Sequence, residues 1–177
     1  MLRAKPELKI RGAHEIRFSK DGFRKRRRGE VLHLALSYVR TVEDILLLNT
    51  YVRRALALLG EKPSFWNLEE DFVKPLERLF SLEKTQLLFS PEAKGVYCER
   101  SILMPQSKQV LRPDRMVLFE DQVLVVDFKS EEPSSEEIYE EYCQQVKNYT
   151  EVAGSLFRLP ARGYLLFVLT PKVEEIR

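Results

Sequence analysis

Residues 123–129 read VLVVDFK, and the first four side chains restrict the fold more than any other stretch. Strand side chains point alternately to opposite faces, so four consecutive apolar residues imply a strand covered on both sides. A second run, YLLFVLT from Tyr164 to Thr170, has the same property. Two such strands need a sheet with other elements packed above and below it. The first run then ends in Asp127-Phe128-Lys129, which puts a carboxylate and an ammonium group on one face and Phe128 on the other.

The rest of the pattern supplies the covering layers. A short helix is predicted from Gly29 to Arg40, carrying His33, after an irregular segment with a block of positive charge from Arg24 to Arg28. Thr41, with Asp44 three residues later, reads as a capping box opening a helix in which Ile45, Leu48, Val52, Ala55, Leu56 and Leu59 recur at helical spacing until Gly60. A third helix is predicted over Leu68 to Leu82, burying Phe72, Leu76, Leu79 and Phe80, with Pro75 as a weak point or a new first turn. Strands are predicted at Leu87–Phe89, Val96–Met104, Met116–Phe119 and Val123–Phe128, with a tight turn at Glu120-Asp121. Ser134 and Glu137 form a second capping box, and the helix it opens should bury Ile138, Tyr142, Val146, Tyr149, Val152 and Ala153 before Gly154 stops it. The expected architecture is α/β, or α+β, with helices on either side of a mixed sheet.

At 177 residues, length gives no reason to divide the chain, and 44% apolar with 32% charged residues suits a globular fold. The net charge of +2 excludes a globally basic protein, so nucleic-acid affinity would have to come from local clusters such as Arg24–Arg28. No apolar run approaches the roughly 20 residues of a membrane span, and the N-terminus has no signal-peptide core, so a cytoplasmic protein is expected. Cys98 and Cys143 form no CxxC and are too few for a four-cysteine zinc or iron–sulfur site.

Asp114 lies behind Pro113 on the preceding strand, thirteen positions before Asp127. If the intervening turn is tight, the two carboxylates are neighbours and repel unless a positive group sits between them. Taken alone, this pair with Lys129 fits a surface ion pair at a strand end as well as it fits a Mg²⁺ or Mn²⁺ site.

The wider pattern adds three matches. PD with D-x-K resembles the signature of the PD-(D/E)XK nuclease superfamily. GEVLH, from Gly29 to His33, is similar to the G-x-x-x-H of the RecB-type nuclease domains, found at the C-termini of RecB and AddA helicase-nucleases. QVKNY, from Gln145 to Tyr149, is similar to their Q-x-x-x-Y. The resemblance runs from Gly29 to about Thr170 and implies a restriction-endonuclease-like sheet, with 1–177 as a single nuclease domain, 1–28 an irregular basic segment and 29–170 the core.

By resemblance, His33, Asp114, Asp127 and the Phe128 carbonyl are the metal ligands and Lys129 is the catalytic lysine. Gln145 and Tyr149 would bind DNA or support the site, as neighbours on one helical face. Arg26, Arg27 and Arg28 would guide the phosphate backbone. Glu99 is a second-tier candidate, at the place of an acid that often precedes the first core strand. The implied function is a Mg²⁺- or Mn²⁺-dependent deoxyribonuclease in repair or recombination, an exonuclease preferring single-stranded DNA, without an iron–sulfur cluster. The chain has no P-loop, so a helicase motor would be a partner or a neighbouring domain. The competing expectation is a nuclease-fold subunit that has lost cleavage and serves as a DNA-binding scaffold.

Overall fold

The computed structural model describes residues 20–103 and 110–177. The predicted irregular segment up to residue 19, and the Met104 end of the predicted second strand, lie outside those residues. The centre of the fold is a five-stranded sheet in the order β1-β4-β5-β6-β7, built from β1 (Gly95–Cys98), β4 (Arg115–Leu118), β5 (Val123–Lys129), β6 (Ala161–Phe167) and β7 (Lys172–Ile176). All neighbours are antiparallel except β5 and β6. That parallel pair requires a crossover, and helix α5 (Glu136–Phe157) supplies it. A separate two-stranded ribbon joins β2 (Ile102–Leu103) to β3 (Val110–Leu111).

As the unbroken apolar runs demand, both faces of β5 are covered. Leu124, Val126 and Phe128 face a core made with helices α1 (Lys20–Tyr38), α2 (Leu48–Leu58), α3 (Lys74–Phe80) and α4 (Glu83–Leu88). Val123 and Val125 face α5 through Tyr149 and Ala153. Asp127 and Lys129 continue this second row, so the alternation delivers both to the α5 side of the sheet. Gly163 lets α5 settle there, because a Cβ on it would come within 2.5 Å of Val146 Cγ1 and Thr150 Oγ1.

Several local expectations need correction. Helix α1 begins at Lys20 rather than Gly29, so the arginine run is helical: Arg and Lys are good helix formers, and Arg26 and Arg27 both pair with Glu30 across a turn. Thr41 and Asp44 do form the capping box, but they open a 3₁₀ turn, Val42–Leu47, before α2. The Leu68–Leu82 region is a π turn, Glu69–Val73, running into α3 with Pro75 in its first turn. Leu87 and Leu88 form the end of helix α4 instead of starting a strand, since so short an apolar run does not separate helix from strand.

The predicted Val96–Met104 strand breaks at Glu99, whose φ of 53° turns the chain out of the sheet. The cap of α5 is Ser135, one residue later than expected, and its hydroxyl accepts the Ile138 N–H. That helix also passes through Gly154 and stops at left-handed Arg158. Strand β7 has no counterpart in the sequence reading, because Lys172, Glu174 and Glu175 hide its pattern.

One side chain ties the helical layer to the sheet. Arg115 in β4 is fully buried and donates to the carbonyls of Val39 and Arg40 after α1 and of Leu88 at the end of α4. Its guanidinium also lies 4.0 Å from the centroid of the Phe89 ring. Burial lowers its pKa to about 10, which leaves it charged at neutral pH. Replacement by methionine keeps the length and removes every donor. Leaving three carbonyls short of partners should cost about 3 kcal/mol, read as a lower urea midpoint at unchanged m-value. A loss below about 0.5 kcal/mol would show that the guanidinium bonds add no net stability.

Candidate active site

The sequence-predicted residues meet at the C-terminal end of β5. One position beyond the Arg115↔Val126 pair, the register sets Asp114 opposite Asp127. Asp114 Oδ2 accepts the Phe128 amide at 2.6 Å. His33 reaches the same oxygen from α1, with Nδ1 3.7 Å away, and its ring meets Phe128 edge-on at 5.9 Å between centroids. Gly29 is one reason α1 lies so close: a Cβ there would stand 2.3 Å from Ser130 Oγ, immediately after β5. The glycine and histidine of G-x-x-x-H therefore act together, one permitting the approach and the other using it.

On the α5 side, Lys129 Nζ lies 2.7 Å from Asp127 Oδ2 and donates to Gln145 Oε1 at 3.0 Å. Gln145 Nε2 in turn donates to the Tyr149 hydroxyl at 2.9 Å. The Q-x-x-x-Y spacing thus sets both groups on one face of α5, in a chain that ends on Lys129. Tyr142, expected in the core, is half-buried instead and presents its ring 4.2 Å from Lys129 Nζ. Its place three residues before Gln145 on the same helical face was the signal available in the sequence.

Charge is not balanced here. Two carboxylates, the buried Asp127 and the half-buried Asp114, face one ammonium, and Asp127 Oδ2 is buried without a hydrogen bond despite its contact with Lys129. Burial, and then the charge of Asp127, push the Asp114 carboxyl up to about 7 against the opposing pull of the Phe128 amide. Burial lowers the His33 pKa, which keeps its imidazole neutral and able to act as a ligand. Among the described residues, no three His, Cys, Asp or Glu side chains converge into a metal-holding group. The donors still suit a hard divalent cation in kind and in charge: two carboxylates, an imidazole and a residual negative charge. Phe128 lies two residues beyond the last β4 pair, Arg115↔Val126, where β5 is paired with β6 alone.

The second-tier acid, Glu99, pairs with Arg112, and its amide donates to the Asp114 carbonyl at 3.0 Å. It borders the site through backbone as well as charge. The basic run divides by helical position. Lys25, Arg26 and Arg28 line a cleft of about 460 Å³ with His33, Lys129 and Tyr142. Arg24 and Arg27 turn toward the helical layer: Arg24 bonds the Phe65 carbonyl and Asp71, and Arg27 bonds Glu61 and the Leu59 carbonyl. Arg28 also donates to the Asp71 carbonyl. Of the three arginines expected to face phosphate, Arg27 is the one the structure turns away from this cleft. No helix among the described residues is long and apolar enough to cross a membrane.

No protein-family model matches the chain, and no curated protein matches it.

The raised Asp114 pKa fixes a sign. The folded state holds this proton more tightly than the unfolded chain, so the stabilisation is complete below pH 3.8 and is lost as pH rises through about 7. Asp114→Asn accepts the same Phe128 amide and does not titrate. Without divalent cations its unfolding free energy should gain on wild type across pH 4–7 and hold that gain above it, by on the order of 2–4 kcal/mol at most, read as a thermal midpoint that rises relative to wild type. A gap independent of pH would mean that Asp114 ionises like a solvated acid.

Proposed function

We propose that this chain is a metal-dependent deoxyribonuclease of the PD-(D/E)XK superfamily, RecB type, hydrolysing phosphodiester bonds in single-stranded DNA. The observation that carries this reading is convergence. Segments as far apart as Gly29–His33, Asp114, Asp127–Lys129 and Gln145–Tyr149 meet at one strand end. Chance matches to four motifs have no reason to share a site. The uncompensated carboxylate beside a basic cleft adds support, because it asks for a cation where a phosphate would arrive.

His33, Asp114, Asp127 and the Phe128 carbonyl would hold Mg²⁺ or Mn²⁺. Such an ion supplies positive charge to a phosphoryl oxygen and lowers the pKa of a bound water. The chain's own groups do the rest. Lys129 orients the attacking water and offsets charge developing on the phosphate, while the sugar 3′ oxygen leaves. Gln145, held by Tyr149, and the Tyr142 ring fix the position of the Lys129 ammonium. Lys25, Arg26 and Arg28 draw the backbone into the cleft. The setting is cytoplasmic DNA repair or recombination, with a helicase motor supplied by a partner or by an adjoining domain.

Asp127→Ala and Lys129→Ala separate catalysis from binding. With end-labelled single- and double-stranded DNA in Mg²⁺ or Mn²⁺, Asp127→Ala should abolish cleavage while DNA binding persists. Lys129→Ala should cut turnover by on the order of a hundredfold or more, the usual scale for a positioned proton-transfer or charge-stabilising group. A chelator should match the Asp127→Ala result. If wild type binds DNA but never cuts it under any metal, length or end structure, the scaffold reading replaces this one; variants that cut like wild type would move the active site elsewhere.

A further inference from the structure

Three clefts follow one another along α1, each sharing residues with the next. The first, at Lys25 and Lys129, meets a second of about 780 Å³ at Arg26, His33 and Ser130. The second contains Asp114, with Leu34 and Leu59 in its wall. It meets a third cleft of about 450 Å³ at Ser37 and Glu99, and this last one is lined by Arg40, Arg100, Tyr38 and Tyr97. From Lys25 to Tyr38 the helix rises about 20 Å, enough for a strand of several nucleotides.

Charge alternates along this path. The first cleft sets Lys25, Arg26, Arg28 and Lys129 against Glu131 and Glu132, the last sets Arg40 and Arg100 against Glu99, and the middle one holds the acids Asp114, Glu99 and Glu30. The far end is chemically the freer of the two. Lys25 and Arg26 pair with Glu131 and Glu30, whereas the Arg40 and Arg100 side chains are exposed, with no ion pair or hydrogen bond among the described residues. Tyr97 is 36% exposed, and its ring packs on Phe157 at 5.6 Å between centroids, so the two guanidinium groups are what this cleft offers a ligand. Two guanidinium groups with no ion pair among the described residues suit the phosphates of a single strand.

We infer that the Arg40–Arg100 cleft is a second strand-binding subsite beyond the catalytic groups, so that single-stranded DNA crosses the site as a continuous strand and is cut without needing a free end. The subsite itself rests on the clefts; the cutting rests on the nuclease reading above. In this arrangement Lys25, Arg26 and Arg28 hold the backbone on one side of the reacting phosphate, and Arg40 and Arg100 hold it on the other.

Two measurements decide it. The first is anisotropy of a labelled oligonucleotide of about 20 nucleotides with full-length protein and chelator, comparing wild type with Arg40→Ser/Arg100→Ser. The double variant should bind roughly tenfold more weakly, with a salt slope reduced by about 2, and keep its thermal midpoint. Unchanged affinity and slope would remove the subsite. The second is incubation of covalently closed single-stranded circles, and of the same DNA opened once, with Mg²⁺ or Mn²⁺. Cut circles support the through-running strand; intact circles beside degraded linear DNA overturn it. If neither DNA is cut while the double variant still binds more weakly, the subsite stands and the nuclease reading falls.

Discussion

A single cation inside the protein holds its two layers in register. Among the described residues Arg115 has no carboxylate hydrogen-bonded to it, only the carbonyls of Val39, Arg40 and Leu88, the Cys98 sulfur and the face of Phe89. The carbonyl ends of helices carry partial negative charge, so two helix ends and the chain leaving α1 together replace the anion that a buried guanidinium would ordinarily need. The residue before it is Asp114. Whatever fixes Arg115 therefore also fixes the first carboxylate of the candidate site, and it joins β4 to the end of the helix that carries His33.

Close approach does the remaining positioning. Gly29 lets α1 reach the end of β5, and Gly163 lets α5 settle on β6. His33 comes from the first helix, Gln145 and Tyr149 from the second, and Asp127 and Lys129 lie on the strand between them. The two contacts differ in tolerance. At Gly29 the obstacle is a serine hydroxyl, which rotates away. At Gly163 it includes a β-branched side chain held stiffly in a helix, so α5 has less freedom to shift than α1.

The layered α/β architecture was legible in residues 123–129 and 164–170, because only burial on both faces explains such runs. The facing of Asp127, Phe128 and Lys129 followed from strand alternation alone. The grouping of His33 with Asp114 did not: it depends on a pairing across eighty residues that no local pattern encodes, and only the motif resemblance anticipated it. Strand β7 was missed because its charges are paired across the surface, Arg162 with Glu175 and Lys172 with Glu132 and Glu174, which erases the apolar signal. The divided role of Arg24–Arg28 was hidden for a similar reason, since helical geometry, not composition, decides which arginines face the cleft and which hold the fold.

The order of elements has a cost during synthesis. Val31, Leu32, Ala35 and Leu36 of α1 are wholly buried, in a core completed by Val117, Leu124, Val126 and Phe128. Some ninety residues separate the two halves of that core, and at the usual 5–20 residues per second a ribosome takes about 5–20 s to cover the gap. Helix α2 packs on part of α1 in the meantime, but the strip destined for the sheet stays wet. A nascent chain of this design presents an apolar helix to holding chaperones well before its own central strand exists to claim it.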